Sequence, residues 1–401
     1  MENSWLEKTF KGGVNIKISV KSVYVGIMLI LLYHAVFVRF HYLYIQRIIV
    51  IILFMLIFPE IRFRRKDMSL LFMLGIYSVL TLVSSFLNKD NYVYTHTLVG
   101  GLFHAVMVFE ILQVFMYALK VRGVEFVIQI FLFLSFMYVL LNDILVIFYP
   151  RMFGYEYLVG NKFLVSYKHI ELITLYCMGK RKNIFVLFGI FAISFYMSAK
   201  VNCMTGAVGL GILGILLFVR AESLLQKRQI LCGVMGISGA FPFVYDFFTG
   251  IYPIQYFIVN ILHRTRGMTG RTVIFDYLPL ILKNHLFFGY GYNTSYEVWI
   301  GATDWYPNAQ NGFWNCVCEQ GIICAVLLVM IAVYVTGLKG KSYYPLICMI
   351  YVYAILGTVE ITMDITFIAW LLFLYTAKRG DNNYQRDNTR LQRGKIHFRV
   401  H

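Results

Sequence analysis

The chain has 401 residues, of which 59% are hydrophobic and only 14% charged, and its 36 Lys+Arg against 20 Asp+Glu give a net charge of +16. Soluble domains run about half apolar and about a quarter charged, so the composition argues against a water-soluble fold, a disulfide scaffold, a disordered chain or a nucleic-acid-binding domain. What remains is an all-α integral membrane protein, in which a basic excess marks cytoplasmic loops rather than a polyanionic partner.

A spanning helix needs about 20 mostly apolar residues. Runs of this kind predict about twelve transmembrane helices, over 18–38, 43–58, 68–87, 97–119, 124–148, 163–179, 184–199, 203–219, 230–248, 319–338, 343–360 and 364–377. The first run follows a charged stretch and lacks a small-residue cleavage site, so it reads as a span and not as a removed signal peptide. Residues 1–17, Arg62 to Lys66, Lys120 to Arg122, Lys180 to Lys182, Arg220 to Arg228, Lys339 to Lys341 and the tail from Lys378 are basic. They alternate with connections poorer in Lys and Arg, which is the positive-inside pattern. Both termini are then cytoplasmic and the number of spans is even. Residues 1–377 form one polytopic membrane domain, and 378–401 a basic cytoplasmic tail near anionic lipid.

Cys177, Cys203, Cys232, Cys324 and Cys348 fall in apolar segments and read as packing. Cys316 and Cys318 form a lone C-x-C with no further ligand at metal spacing. No metal is expected.

Two outer connections exceed a tight turn: 149–162, with Arg151, Glu156 and Lys162, and the stretch of about 249–318. Loops longer than about 15 residues are usually functional or disordered, and the richness of the second in Trp, Tyr, Gly and Asn argues against disorder. It carries Arg264, Arg266 and Arg271 on the side where positive charge is sparse. An apolar run, 272–282, follows along the interface. Thr269 is placed to cap a helix whose first turn holds Arg271. A guanidinium there opposes the helix dipole unless an anion occupies the helix N-terminus. Arginines snorkelling to lipid phosphate account for the same pattern. Lys200, between two apolar runs, must lie at a helix end or face water, because a cation at a helix centre costs about 2.5–3.5 kcal/mol.

Farther along, Phe288-Gly289-Tyr290-Gly291 permits a tight turn but is not a nucleotide fingerprint, since no strand–helix unit surrounds it. Asn293-Thr294-Ser295 matches the glycosylation sequon. Gln310 and Asn311, followed by Glu319-Gln320-Gly321, close the loop. Amides suit sugar hydroxyls, and Trp299, Trp305 and Trp314 offer either sugar-stacking faces or interfacial anchors.

In this order, the basic outer turn at Lys200, Gly270-Arg271 with Phe275, the Phe-Gly-x-Gly turn, Gln310-Asn311 and Glu319-Gln320-Gly321 resemble the O-antigen ligase and polysaccharide polymerase superfamily. Gly160-Asn161-Lys162 also looks like the family's polymerases. The resemblance covers about 160–325. It implies a glycosyltransferase in the bacterial cytoplasmic membrane, facing outward, that uses undecaprenyl-diphosphate-linked repeat units as donor and acceptor. Neither a nucleotide sugar nor a metal is implied, and a chain-length regulator and a flippase are the implied partners. Arg271 and Lys200 would hold the diphosphate with Arg264 and Arg266 assisting. Gln310, Asn311, Gly289 and Gly291 would shape the sugar site.

Ligases of the superfamily carry His-Asn where this chain has Gln310-Asn311. Gln310 cannot accept a proton as a general base, which favours polymerase over ligase and leaves the base open among His263, His285, Asp304 and Glu319. A flippase or other transporter is the rival from another class, with Asp143, Glu110 and Glu171 as its candidate buried ionisable groups.

Overall fold

A computed structural model describes residues 5–9, 15–38, 43–61, 63, 65–92, 95–149, 157–179, 183–256, 259–260, 270–339 and 343–379. The architecture is helical, apart from an antiparallel hairpin that the sequence reading did not anticipate. Strands β1 (Trp5–Thr9) and β2 (Asn15–Ser19) pair Trp5 with Ser19 and Thr9 with Asn15. Asn15-Ile16-Lys17-Ile18-Ser19 alternates polar and β-branched residues with the two-residue period of a strand.

The helices follow as α1 (Val20–Val36), α2 (Leu43–Ile57), α3 (Met68–Leu87), α4 (Thr97–Arg122), α5 (Val124–Phe148), α6 (Lys162–Met178), α7 (Ile184–Lys200) and α8 (Met204–Val219). After the short α9 (Glu222–Leu225) come α10 (Arg228–Gly250), α11 (Tyr252–Tyr256), α12 (Arg271–Leu282), α13 (Ser295–Thr303), α14 (Gly312–Gln320), α15 (Ile322–Thr336) and α16 (Tyr344–Leu356). A final helix, α17, covers 365–379. Every apolar run read from the sequence is thus helical over most of its length. Among the described residues four helices are long and apolar enough to cross a membrane: Met68–Leu87, Thr97–Arg122, Val124–Phe148 and Arg228–Phe247. The remaining apolar helices are shorter. At 1.5 Å per residue α16 reaches only about 20 Å, against a hydrocarbon core of about 30 Å.

Large apolar side chains cover the outside of the bundle. Phe185 and Phe218 are 81% and 90% exposed, a surface that suits lipid and not water. Inside, polarity is inverted. Helix α6 buries Lys168, His169 and Glu171 within the bundle, and Asn161 caps it by accepting from the Phe163 and Leu164 N–H groups, each at 3.1 Å. Lys168 pairs with Glu171 at 2.8 Å, and the Tyr353 hydroxyl donates to the other carboxylate oxygen at 3.1 Å. His169 lies between Asp143 (3.3 Å) and Ser194 (3.0 Å). The three acidic groups flagged from the sequence, Asp143, Glu110 and Glu171, are all buried.

The C-terminal end of α17 is held by polar contacts. There Lys378 donates to the Thr336 and Leu338 carbonyls at 2.7 and 3.1 Å, and the Tyr375 hydroxyl donates to Asp67 at 2.7 Å. Lys378 therefore does not begin a solvated tail. It is 1% exposed, ends a helix, and satisfies carbonyls left open at the C-terminus of α15. Residues 380–401 lie outside the described residues.

Candidate functional site

The stretch read as one long outer loop is a set of short helices. Helix α12 packs one face on α10: the Phe275 ring meets Tyr245 edge-on at 5.1 Å, and Ile274, Leu278 and Ile281 are buried with it. The apolar run at 272–282 is thus a helix with one face packed on α10, while Val273 and Leu280 on its other side stay exposed. Its N-cap is Gly270 in the left-handed conformation (φ 86°), with no side-chain cap. The expected cap, Thr269, lies outside the described residues, as do His263, Arg264 and Arg266.

Arg271 occupies the first position of α12, and the anion it faces belongs to the protein. Its Nη2 donates to Glu360 Oε1 at 2.6 Å and its Nε to the Val359 carbonyl at 3.2 Å. The Thr205 hydroxyl reaches the same carboxylate oxygen at 3.3 Å. Burial pushes the Glu360 carboxyl up to about 7, against the opposing pull of Arg271. This explains why an arginine is tolerated where the helix dipole disfavours it. Lys200 is the last residue of α7. It is exposed and has no hydrogen-bond or ion-pair partner among the described residues.

The amides divide. Asn311 is fully buried and caps α14 through the Trp314 N–H (3.0 Å), while its Nδ2 donates to the Ser238 and Thr358 carbonyls at 2.9 and 3.1 Å. With its polar atoms engaged in this way it braces the fold instead of facing a sugar. Gln310 has φ 49°, and its Nε2 donates to Asn308 Oδ1 at 3.1 Å. Of the other proposed bases, His285 stacks on Tyr290 at 3.8 Å, and Asp304 is exposed at the C-cap of α13.

The Phe-Gly-x-Gly turn and Glu319-Gln320-Gly321 interlock. The Tyr290 and Gly291 N–H groups donate to the Cys318 and Glu319 carbonyls at 2.8 and 2.9 Å, and the Ile322 N–H donates to the Leu286 carbonyl at 2.8 Å. A Cβ at Gly289 would lie 2.7 Å from the Gln320 nitrogen, and one at Gly321 would lie 1.9 Å from the Phe287 oxygen. Both glycines have positive φ. Their role is close backbone approach, not contact with a ligand. Gly321→Ala should therefore destabilise the protein by more than about 3 kcal/mol, since neither partner is a movable side chain. A melting temperature within a degree of wild type would contradict this.

This junction forms one wall of a cavity of about 520 Å³. Tyr292, Asn293 and Ser295 line it from the turn and the start of α13, Asn315, Cys316, Glu319 and Gln320 from α14, and Ile361, Met363, Asp364 and Ile365 from the segment leading into α17. Arg47 of α2 and His96, Phe103 and His104 at the start of α4 also line it. Glu319 is fixed from two directions. The Ser84 hydroxyl donates to its carbonyl at 2.9 Å, and Asn315 Nδ2 donates to its carboxylate at 3.3 Å. His104 is buried, with Nε2 3.2 Å from the Tyr77 hydroxyl and its ring stacked on Tyr292 at 4.3 Å. Burial raises the nearby Tyr92 phenol.

Of the residues singled out from the sequence, Asn293, Ser295, Cys316, Glu319 and Gln320 line this cavity. Arg271, Lys200, Gln310, Asn311, Gly289 and Gly291 do not. Arg47, His96, His104 and Asp364 were missed. Their signal was an ionisable side chain inside or beside an apolar run, which is costly unless it faces a cavity or a partner. Cys316 is buried at the cavity wall and Cys318 is buried beside it, and no cluster of metal-ligating side chains occurs among the described residues. Cys232, read as packing, is exposed on α10.

No protein-family model, no curated protein and no solved structure matches the chain.

Proposed function

We propose that the protein is a membrane glycosyltransferase that polymerises undecaprenyl-diphosphate-linked repeat units into a bacterial surface polysaccharide at the outer face of the cytoplasmic membrane. The reading is supported by one observation above the others. Two motifs that carry the family resemblance, Phe288 to Gly291 and Glu319 to Gly321, lock together and deliver Tyr292, Asn293, Asn315 and Glu319 to one cavity wall. Aromatic rings, amides and a positioned carboxylate are the groups that bind a sugar and take a proton from its hydroxyl.

In this reaction the acceptor hydroxyl oxygen attacks the anomeric carbon of the donor. The glycosidic bond to diphosphate breaks, its electron pair leaves with the diphosphate, and the hydroxyl proton passes to the Glu319 carboxylate. Cations near the departing diphosphate stabilise the charge that grows on it. Arg271, committed to Glu360, serves this scheme as a positioning residue that ties α12 to the 357–364 connection. Gln310 offers no base, which favours a polymerase over a ligase.

Transport is the second reading, favoured by the buried Lys168–Glu171 and Asp143–His169 pairs. A small cavity beside Lys168 and Glu171 shares Ile361 and Asp364 with the large one. Deleting the gene separates the readings. Loss of a polymerase leaves single repeats on the surface; loss of a ligase leaves long chains on the lipid carrier. Loss of a flippase strands repeat units on the cytoplasmic side, and that outcome would overturn the polymerase assignment.

A further inference from the structure

We propose that the buried Lys168–Glu171 pair is a proton-loading site, reached from the large cavity through Asp364. The inference holds whether that cavity serves glycosyl transfer or transport. Replacing a buried ion pair with well-packed apolar residues is often neutral or stabilising, so stability alone gives no reason for α6 to keep one. Ionisable groups inside a membrane protein instead mark ion pathways and proton relays. Helix α6 takes part in two pairs, Lys168–Glu171 and Asp143–His169, and their surroundings separate them.

Asp143 and His169 line neither cavity. The Ser194 hydroxyl donates its one hydrogen to the Ile190 carbonyl at 2.7 Å, so His169 Nδ1 carries a hydrogen and donates it to Ser194 at 3.0 Å. Nε2 faces Asp143 Oδ1 at 3.3 Å, an oxygen that also accepts from Asn142 Nδ2 at 3.3 Å. Both ring nitrogens are thus committed, and this pair braces α5, α6 and α7 against one another.

Lys168 and Glu171, by contrast, line the small cavity together with Tyr353, Thr362, Asp364 and Thr366. Its volume of about 20 Å³ has room for one water, and these groups offer the polar partners that a buried water requires. Asp364 also lines the large cavity. A carboxylate, a water-sized space and an ion pair therefore follow one another inward from the large cavity. Glu171 Oε2 accepts from Lys168 Nζ at 2.8 Å, and Oε1 accepts from the Tyr353 hydroxyl at 3.1 Å. Loading adds one proton from bulk solvent to Oε1. The Tyr353 hydroxyl turns to accept it, and the pair passes from net neutral to a single positive charge. Tyr33 of α1 and Tyr167 also lie near the pair. Helix α8 has no ionisable side chain, and those of α7, Tyr196 and Lys200, are exposed. On α5 and α16, Tyr138 and Tyr351 donate to the Leu158 and Leu225 carbonyls.

The test places the full chain in phosphatidylcholine nanodiscs and records infrared difference spectra as the bulk pH is stepped from about 8 to about 5. A carboxylic-acid carbonyl band should grow as the pH falls, shift in deuterium oxide and be missing from Glu171→Gln. If that variant fails to fold, the doubly neutral Lys168→Met, Glu171→Gln protein leaves no unpaired buried charge and should lack the band too. Asp364→Asn keeps an oxygen to cap α17. It should retain the band but slow its rise after a photoreleased proton pulse about tenfold or more, because a positioned proton carrier is worth at least that much. The doubly neutral Asp143→Asn, His169→Gln protein should match wild type in both band and rate. The proposal is overturned if wild type shows no band that follows bulk pH, or if the band survives loss of Glu171. It is overturned equally by a wild-type rate in Asp364→Asn, or by loss of the band with the Asp143–His169 pair. None of these readouts depends on glycan elongation, so the site and the polymerase reading stand or fall separately.

Discussion

Arg271→Ala should cost the protein its stability before its chemistry can be assayed. The substitution leaves Glu360, 4% exposed, without the guanidinium that lies 2.6 Å from its carboxylate, and it also removes the donor to the Val359 carbonyl. Removing one member of a buried ion pair typically costs about 3–5 kcal/mol. The lower end applies here, because Glu360 can retreat to its protonated form. Membrane abundance and melting temperature should both fall, whereas the doubly neutral Arg271→Gln, Glu360→Gln protein should recover most of each. Were Arg271 only a diphosphate ligand, an alanine variant would accumulate normally and merely be inactive. An Arg271→Ala protein with wild-type abundance and melting temperature, yet no polymer, would restore Arg271 as a group that acts directly on substrate.

The same pair makes stability depend on pH. Because burial raises the Glu360 carboxyl from 4.5 to about 7, the folded chain holds that proton more tightly than the unfolded chain. Its contribution to stability is complete below about pH 4.5 and lost as the pH climbs toward 7. Glu360→Gln should flatten the melting-temperature profile across that window.

Glu319→Gln is expected to reduce glycan elongation about 100-fold or more while the protein accumulates normally. The substituted amide still accepts from Asn315 Nδ2, and the backbone of residue 319 stays held by Ser84 and Gly291. What disappears is the ability to take a proton, and positioned bases contribute about 10²–10⁴-fold. Elongation by the purified protein in nanodiscs, supplied with lipid-linked repeat units, measures it directly. Wild-type chain length from the glutamine protein would remove Glu319 from the scheme and leave the cavity's histidines as the next groups to replace.

The apolar runs were legible from residue order alone, because a helix in lipid must satisfy its own backbone and present apolar side chains over many consecutive positions. The Phe288 to Gly291 turn and the Glu319 to Gly321 corner could be picked out as unusual, although their meeting could not. Gly289 and Gly321 are needed for a backbone contact between segments about 30 residues apart, and no local pattern states which segments will touch.

Charge by itself misled at Arg271. A cation near a helix N-terminus implies an anion, and the sequence offered no reason to choose between a ligand and Glu360, which lies 89 positions away. Asn311 misled in the same way: an amide suited to a sugar proved to be the cap and brace of α14. Arg47 and His104 were hidden within runs read as plain spans, and only the packing of α2 and α4 around a shared cavity gives them a role. Composition and periodicity thus determined that the chain is helical and embedded in a membrane, because burial against lipid is a property of each segment separately. Tertiary structure decided which charges are neutralised inside the protein and which stay available, because pairing depends on distances between segments that the sequence does not contain.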